Sequence, residues 1–373
     1  SDKALRLMHF LFFTMNYPLI TKVGIWFTSN ALKFKLPVKG LIKKTLFFQF
    51  CGGESLEGCR TNIEKLKQSN IKAILDYSAE GEHTEEGFET NKLEMIRSLE
   101  FAGTLDNIPI TVMKLTAFIE YNLLVKAQTG SNFSEEEKRK FIRFEQRVEA
   151  ICAKAVEHGK SLYIDAEESW IQKAIDKVVF AMMRKFNMDK AYIFNTYQLY
   201  KKSALSDMIH AHQELRSTNC HLGAKLVRGA YMEKERERAE ERGYEDPIQP
   251  NKQACDQDYN LALDYCLDHI DSISVCAGTH NEDSSIYLAE LIDSQGLDRS
   301  DPRIYFSQLY GMSDNISYNL AKEGFNVAKY VPYGSVEKVM PYLMRRAEEN
   351  TAIAGQTSRE FLLVKKELKR RKG

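Results

Sequence analysis

Between Asp2 and Glu54 the chain has no acidic residue. The whole chain has a formal net charge of +0, so this gap marks a local basic region and disfavours a nucleic-acid partner. Cysteines are few and unpatterned: seven, an odd number, with no Cys-x-x-Cys pair. That excludes a disulfide scaffold and fits reduced, buried thiols. Eight histidines are scattered. His210 and His212 lie two apart, and on a helix that spacing turns them to different sides, so no metal is expected. No β-like run leads into Gly-x-Gly-x-x-Gly. The apolar run near 10–20 contains Asn16 and Pro18 and is too short to span a bilayer. No signal peptide is expected at the start.

What is present is core material. The chain has 373 residues, 43% of them hydrophobic, with 20 Phe and 18 Tyr. That suits two average domains or one large barrel. Residues 1–65 read as a helical region. Lys3, Arg6, Lys22, Lys33, Lys35, Lys39, Lys43 and Lys44 stand there among Trp26, Phe27, Leu32, Phe34, Leu41 and Phe47. Two readings stay open: an amphipathic surface for an anionic membrane, or a helical subdomain with its lysines in water.

From about residue 66 a strand–helix alternation begins. β-like runs fall at 71–77, 109–116, 162–168, 191–198, 222–231, 273–279, 304–309 and 327–332, each followed by a helical pattern. Ser134 ahead of Glu135, Glu136 and Glu137 predicts a capped helix to about 158. Eight such units predict an α/β protein with a (β/α)8 barrel over 66–350, followed by a basic tail at 351–373. An open doubly wound sheet is the alternative.

In such a barrel, function collects where strands end. Those ends carry Asp76, Glu80, Lys114, Asp165, Asn195, Gln198, Lys225, Arg228, Tyr231, Thr279, His280, Leu309, Tyr310 and Tyr330, and the last helix adds Arg345 and Arg346. Lys114 and the two arginines suit a small carboxylate. Tyr330, Tyr342 and Leu309 suit an apolar wall. Lys225 and Arg228 beside Gly229-Ala230, with Thr279 and His280 one strand away, suit a larger anionic ligand. A lyase or aldolase with a Schiff-base lysine at Lys114 or Lys225 fits the same inventory. So does a non-catalytic quinone- or lipid-associated protein.

The runs Lys225-Leu226-Val227-Arg228-Gly229-Ala230-Tyr231, Gly278-Thr279-His280-Asn281, Gln308-Leu309-Tyr310-Gly311-Met312 and Tyr330-Val331-Pro332-Tyr333-Gly334 through Tyr342-Leu343-Met344-Arg345-Arg346 resemble proline dehydrogenases. Asp165-Ala166-Glu167-Glu168 and Met113-Lys114-Leu115 agree. The resemblance covers about 70–350 and is to the monofunctional, mitochondrial-type branch. No stretch resembles an aldehyde dehydrogenase domain.

The resemblance implies a distorted (β/α)8 barrel that holds FAD and oxidises L-proline to Δ1-pyrroline-5-carboxylate. It implies hydride transfer from C5 to flavin N5, with electrons passed to a membrane quinone. By resemblance, Lys114, Arg345 and Arg346 hold the substrate carboxylate and Glu80 gates Arg345. Tyr330, Tyr342, Leu309 and Tyr231 line the pocket, and Tyr330 favours proline over hydroxyproline. Asp165, Lys225 and Tyr231 form the implied catalytic group. Ala166, Asn195, Lys225, Arg228, Gly229, Ala230, Thr279, His280, Glu349 and Asn350 lie where the family contacts FAD. Lysine at 225 stands where many bacterial members have arginine, and asparagine at 195 where glutamine is common. The implied location is the cytoplasmic face of a bacterial inner membrane, or the mitochondrial inner membrane or matrix in a eukaryote, with peripheral membrane contact.

Overall fold

The computed structural model describes residues 2–15, 17–34, 37–77, 82–352 and 354–371. Eight strands, β1 (Ile71–Tyr77), β2 (Ile110–Met113), β3 (Ser161–Ile164), β4 (Ile193–Gln198), β5 (Leu222–Val227), β6 (Ile273–Gly278), β7 (Ile304–Leu309) and β8 (Val327–Tyr333), close a barrel in chain order. All pairings are parallel, and β1 meets β8 from Ile71 opposite Val327 to Tyr77 opposite Tyr333. The expected (β/α)8 barrel is present. Three runs stop three or four residues before the end of their β-like pattern. β2, β3 and β5 end at Met113, Ile164 and Val227, which puts Lys114, Asp165 and Arg228 in the first loop positions of the mouth.

Two apolar layers follow from the period-two alternation of strands. One parity fills the lumen: Ile74, Ile110, Val112, Tyr163, Phe194, Cys276, Ala328 and Tyr330. The lumen is packed and is no channel; the Tyr163 and Phe194 rings lie 4.5 Å apart. The other parity, including Leu162, Ile193, Tyr197, Leu226 and Val331, meets the surrounding helices.

Those helices are α5 (Leu56–Lys67), α6 (Glu85–Gly103), α7 (Tyr121–Thr129), α8 (Glu135–Glu157), α9 (Ser169–Phe186), α10 (Ala204–Arg216), α11 (Met232–Arg242), α12 (Lys252–Asp268), α13 (Glu282–Ser294), α14 (Asp314–Lys322) and α15 (Val336–Ala352). In α8 the capping box is complete. Ser134 Oγ accepts from the Glu137 amide at 3.2 Å, and Glu137 accepts from the Ser134 amide at 2.7 Å. Phe144, Val148, Ile151, Cys152 and Ala155 form its buried face.

The remaining helices build a cap: α1 (Asp2–Met15), α2 (Pro18–Lys33), the short α3 (Lys39–Ile42) and α4 (Phe48–Phe50), and α16 (Ala354–Arg370). Phe12, Met15, Ile42, Phe47 and Phe50 pack with Val336, Val339, Met340 and Leu343 of α15. The cap also ties to strand ends. Gly52 donates to Pro332 O at 2.8 Å, and Gln49 Nε2 donates to Gly311 O at 2.9 Å. By contrast α5, which spans position 65, buries Leu56, Cys59, Ile63 and Leu66 in the barrel's outer core.

All seven cysteines are buried and unbridged. His212 is buried, with its ring nitrogens 2.8 Å from Tyr265 Oη and 2.8 Å from Ser272 Oγ.

Candidate active site

The C-terminal mouth is organised by a buried lysine. Lys225 lies on the lumen side of β5, in register with Thr196 and Cys276. It is only 5% exposed. Burial at this depth requires a counter-charge. Asp165, just past β3, supplies it at 2.5 Å from Nζ. The Tyr330 ring of β8 lies 4.7 Å from the same ammonium. Three strands thus bring Asp165, Lys225 and Tyr330 into one cluster. The Tyr330 hydroxyl is buried and has no hydrogen-bond partner. Burial first, then the Asp165 charge, pushes its pKa well up, so it stays a neutral donor.

Arg228, just past β5, forms a second node. Its Nε donates to Asp256 at 2.7 Å, one Nη to Thr279 Oγ1 at 2.6 Å and the other to Ser284 Oγ at 3.0 Å. Its guanidinium also covers the Tyr259 ring at 4.5 Å. Arg228 and Thr279 are therefore joined directly. Gly229 follows with φ +135°, and a Cβ there would meet the Tyr200 ring at 1.8 Å. Only glycine fits this turn. The Ala230 amide donates to Gln198 Oε1 at 3.2 Å, and Gln198 Nε2 donates to Glu167 O at 2.8 Å.

His280 Nδ1 lies 2.8 Å from Ser313 Oγ. Burial, with the charges of Lys329, Arg346 and Arg228, pushes its pKa down to about 3, which holds the imidazole neutral. Arg346 also lies over the Tyr342 ring at 5.2 Å. Arg345 bears electrostatically on Tyr231. Together with Lys114 it offsets the burial that raises the Tyr231 pKa. Glu167 is buried beside Lys114 and accepts from Thr116 Oγ1 at 2.7 Å. Burial raises its pKa to about 7, against the pull of Lys114 and Thr116.

Not every expected residue reaches the mouth. Asn195 has the wrong strand parity: its Nδ2 donates to Asp176 of α9 at 2.8 Å, on the outer face of β4. Gln198 is the carboxamide of β4 that reaches the β5 loop, and alternation from the lumen residue Phe194 would have found it. Ala166 is buried behind the β3 end. Leu309 packs at the end of β7 against both the lumen and the cap clusters. Glu80 lies outside the described residues, as do the side chains of Glu349 and Asn350. Glu167 and Lys329 had no role assigned from sequence. Their signal was a charge placed within or directly after an apolar strand.

Fold and site together define a parallel (β/α)8-barrel protein with a cation-rich mouth suited to anionic ligands. A profile of the proline dehydrogenase family matches residues 59–359. The chain belongs to the proline dehydrogenase family, and several of its relatives are named mitochondrial proline dehydrogenases. It is 41% identical over 285 residues to human proline dehydrogenase 1, mitochondrial, across 74% of this chain and 48% of the human protein. The carbapenem antibiotics biosynthesis protein CarD of Pectobacterium carotovorum is 35% identical, across 86% of this chain and 83% of its own length. The chain thus spans about half of the human relative. Among solved structures, proline utilization A from Bdellovibrio bacteriovorus, inactivated by N-propargylglycine, superposes with a TM-score of 0.74 at 21% identity. That match covers 84% of this chain and 34% of the other, and it speaks to the fold.

Proposed function

We propose that this chain oxidises L-proline to Δ1-pyrroline-5-carboxylate in proline catabolism, with FAD as the immediate acceptor and a membrane quinone as the final one. The observation that carries this reading is the Asp165–Lys225–Tyr330 cluster in the mouth of a proline dehydrogenase-family barrel. The donors present suit FAD. Lys225, Arg228, Thr279 and neutral His280 offer cationic, hydroxyl and imidazole groups along one side of the mouth. The orphaned Tyr330 hydroxyl is a further buried polar group facing it. In this reading Lys225, Arg228, Gly229, Ala230, Thr279, His280 and Gln198 hold FAD, which supplies the two-electron acceptor that the side chains lack.

The chain's own residues bind and orient. Lys114, Arg345 and Arg346 take the substrate carboxylate, and Leu309, Tyr231, Tyr330 and Tyr342 wall the pyrrolidine ring. Asp165 holds the Lys225 ammonium in place near the reacting carbon. Net oxidation removes the equivalent of a hydride from C5 and a proton from nitrogen.

Membrane contact belongs to the same proposal. Among the described residues no helix is long and apolar enough to cross a membrane. Leu19, Trp26, Phe34 and Leu41 are 67–75% exposed on the cap, next to exposed Lys22, Lys39, Lys43 and Lys44. This supports a basic, apolar cap lying on an anionic bilayer, on the mitochondrial inner membrane in a eukaryote or the cytoplasmic membrane face in a bacterium. The helices α1 to α4, with α16, then serve as the membrane-side cap, and the catalytic barrel begins at α5 rather than at residue 66.

The purified protein is expected to be yellow, and proline is expected to bleach its flavin spectrum without oxygen. A colourless preparation that FAD does not restore would sink the proposal. Arg346→Met is expected to raise KM for proline by about a hundredfold or more, with FAD retained. Unchanged proline kinetics would remove Arg346 from the carboxylate site.

A further inference from the structure

Lys329 is 1% exposed, yet it lies in a strand whose neighbours are apolar. Its flanking residues Ala328 and Tyr330 face the lumen, so Lys329 faces out toward the helix layer. Its ammonium has three donors and three acceptors. Nζ donates to Asp314 Oδ1 at 2.8 Å, to Leu309 O at 3.4 Å and, closely, to Met312 O. All three acceptors belong to the turn that joins β7 to α14.

That turn is an awkward one. Ser313 sits at φ +48°, a region a side chain rarely adopts. Gly311 sits at φ +78°, and a Cβ there would come within 2.0 Å of Gln49 O. Such backbone persists only where its surroundings hold it. The strand partner of Lys329 completes the bracket. Gln308, opposite it in register, donates to Thr279 O at 3.1 Å and accepts from Ser317 Oγ at 2.8 Å. The turn begins at Leu309, a wall of the proposed pocket, and carries Ser313, whose hydroxyl meets His280 Nδ1 at 2.8 Å.

We infer that Lys329 is a positioning residue. It fixes the turn at 309–314 and through it sets the orientation of His280 and the reach of Leu309. Fold stability alone explains it poorly, because a well-packed apolar side chain commonly serves as well as a buried ion. A cation with three directional donors does what an apolar side chain cannot: it fixes two carbonyls and a carboxylate of one strained turn together.

The functional part of this inference rests on the proline dehydrogenase reading, and the test keeps the two apart. Lys329→Met and Asp314→Asn are made in the full chain. The nitrogen signals of the His280 imidazole are followed by NMR against pH, with His280→Gln for assignment. Proline kinetics are measured on the flavin-loaded protein. In the parent, His280 stays neutral through the weakly acidic range. In Lys329→Met its signals move and it titrates at a higher pH, because a nearby cation and a fixed partner are both gone. The KM for proline rises on the order of tenfold, beyond any change in kcat. Asp314→Asn loosens the same turn but removes an anion rather than a cation, so the His280 signals shift in position while the imidazole stays neutral over the same pH range. If Lys329→Met does not accumulate as folded protein, the Asp314→Asn signals decide alone. Unchanged His280 signals, with or without a lower melting temperature, overturn the inference. If the parent does not oxidise proline, the functional reading fails while the His280 signals still test the bracket.

Discussion

The barrel and the cap bury apolar surface in opposite ways. Around the barrel each helix turns one apolar face inward and a charged face outward, as α8 does with Lys138–Glu135 and Lys140–Glu120 on its solvent side. In the cap one face packs on α15, and the other side is apolar too. Phe10, Phe13, Tyr17, Leu19, Val23, Trp26, Phe27, Phe34, Leu41 and Phe48 are all exposed there. A helix hydrophobic on two sides needs two partners. The first is α15, which carries Arg345 and Arg346. The second, on the reading above, is a lipid surface. The charges differ in the same sense. The barrel's Lys225–Asp165 pair is buried and has one geometry, whereas the cap's Lys39–Glu337 and Lys43–Glu54 pairs are about half exposed and contribute little.

The comparison breaks hardest at the buried pair. Lys225→Met leaves the Asp165 carboxylate without its cation, and removing one partner of a buried pair costs about 3 kcal/mol. A fall of that size in denaturant stability is expected, with flavin affinity falling as well. Adding Asp165→Leu should return much of the stability and none of the flavin binding. If the single variant is as stable as the parent, the pair is no more than a surface bridge. Next in size is the cap. Trp26→Ser with Phe27→Ser is expected to weaken sedimentation with anionic vesicles by about a hundredfold or more, since each ring removed forfeits about 1.5–3 kcal/mol of burial. Melting temperature and proline kinetics in detergent should stay close to the parent. Equal vesicle binding by both proteins would leave the cap's second face without its proposed partner.

The barrel was legible because strand and helix periods are local. Runs such as 71–77 and 304–309 coincide with β1 and β7 to the residue. The lateness of other runs had a simple cause: buried Leu115 and Ala166 continue the apolar pattern after the ladder has stopped, because the mouth loops are also packed. The site was legible where a motif supplied it, as at Lys225, Arg228 and Thr279. It was less so where strand parity decides, as at Asn195 against Gln198. What could not be read was partnership across the chain. Lys329 meets Asp314 and two carbonyls, and Gln49 meets Gly311 262 residues away. Such contacts depend on the closed barrel and leave no periodic trace.

The smallest expected effect tests how the mouth holds its own acid. Glu167 is buried, and its pKa rises from 4.5 to about 7. A carboxyl raised in the folded state binds more protons folded than unfolded between those values. Its contribution therefore weakens folding as pH climbs from about 4.5 to about 7, and levels off above. Glu167→Gln removes that loss while keeping an acceptor for Thr116 Oγ1. The variant should lose stability relative to the parent in mild acid and recover it toward pH 8, a swing on the order of 1–3 kcal/mol. Melting curves across that range measure it. A difference that is the same at every pH would mean that Glu167 is ionised throughout, paired with Lys114 as tightly as Asp165 is with Lys225. The two acids of the β3 end would then be alike. A pH-dependent difference instead separates them: Asp165 as the fixed counter-ion of Lys225, and Glu167 as the group that changes charge beside Lys114.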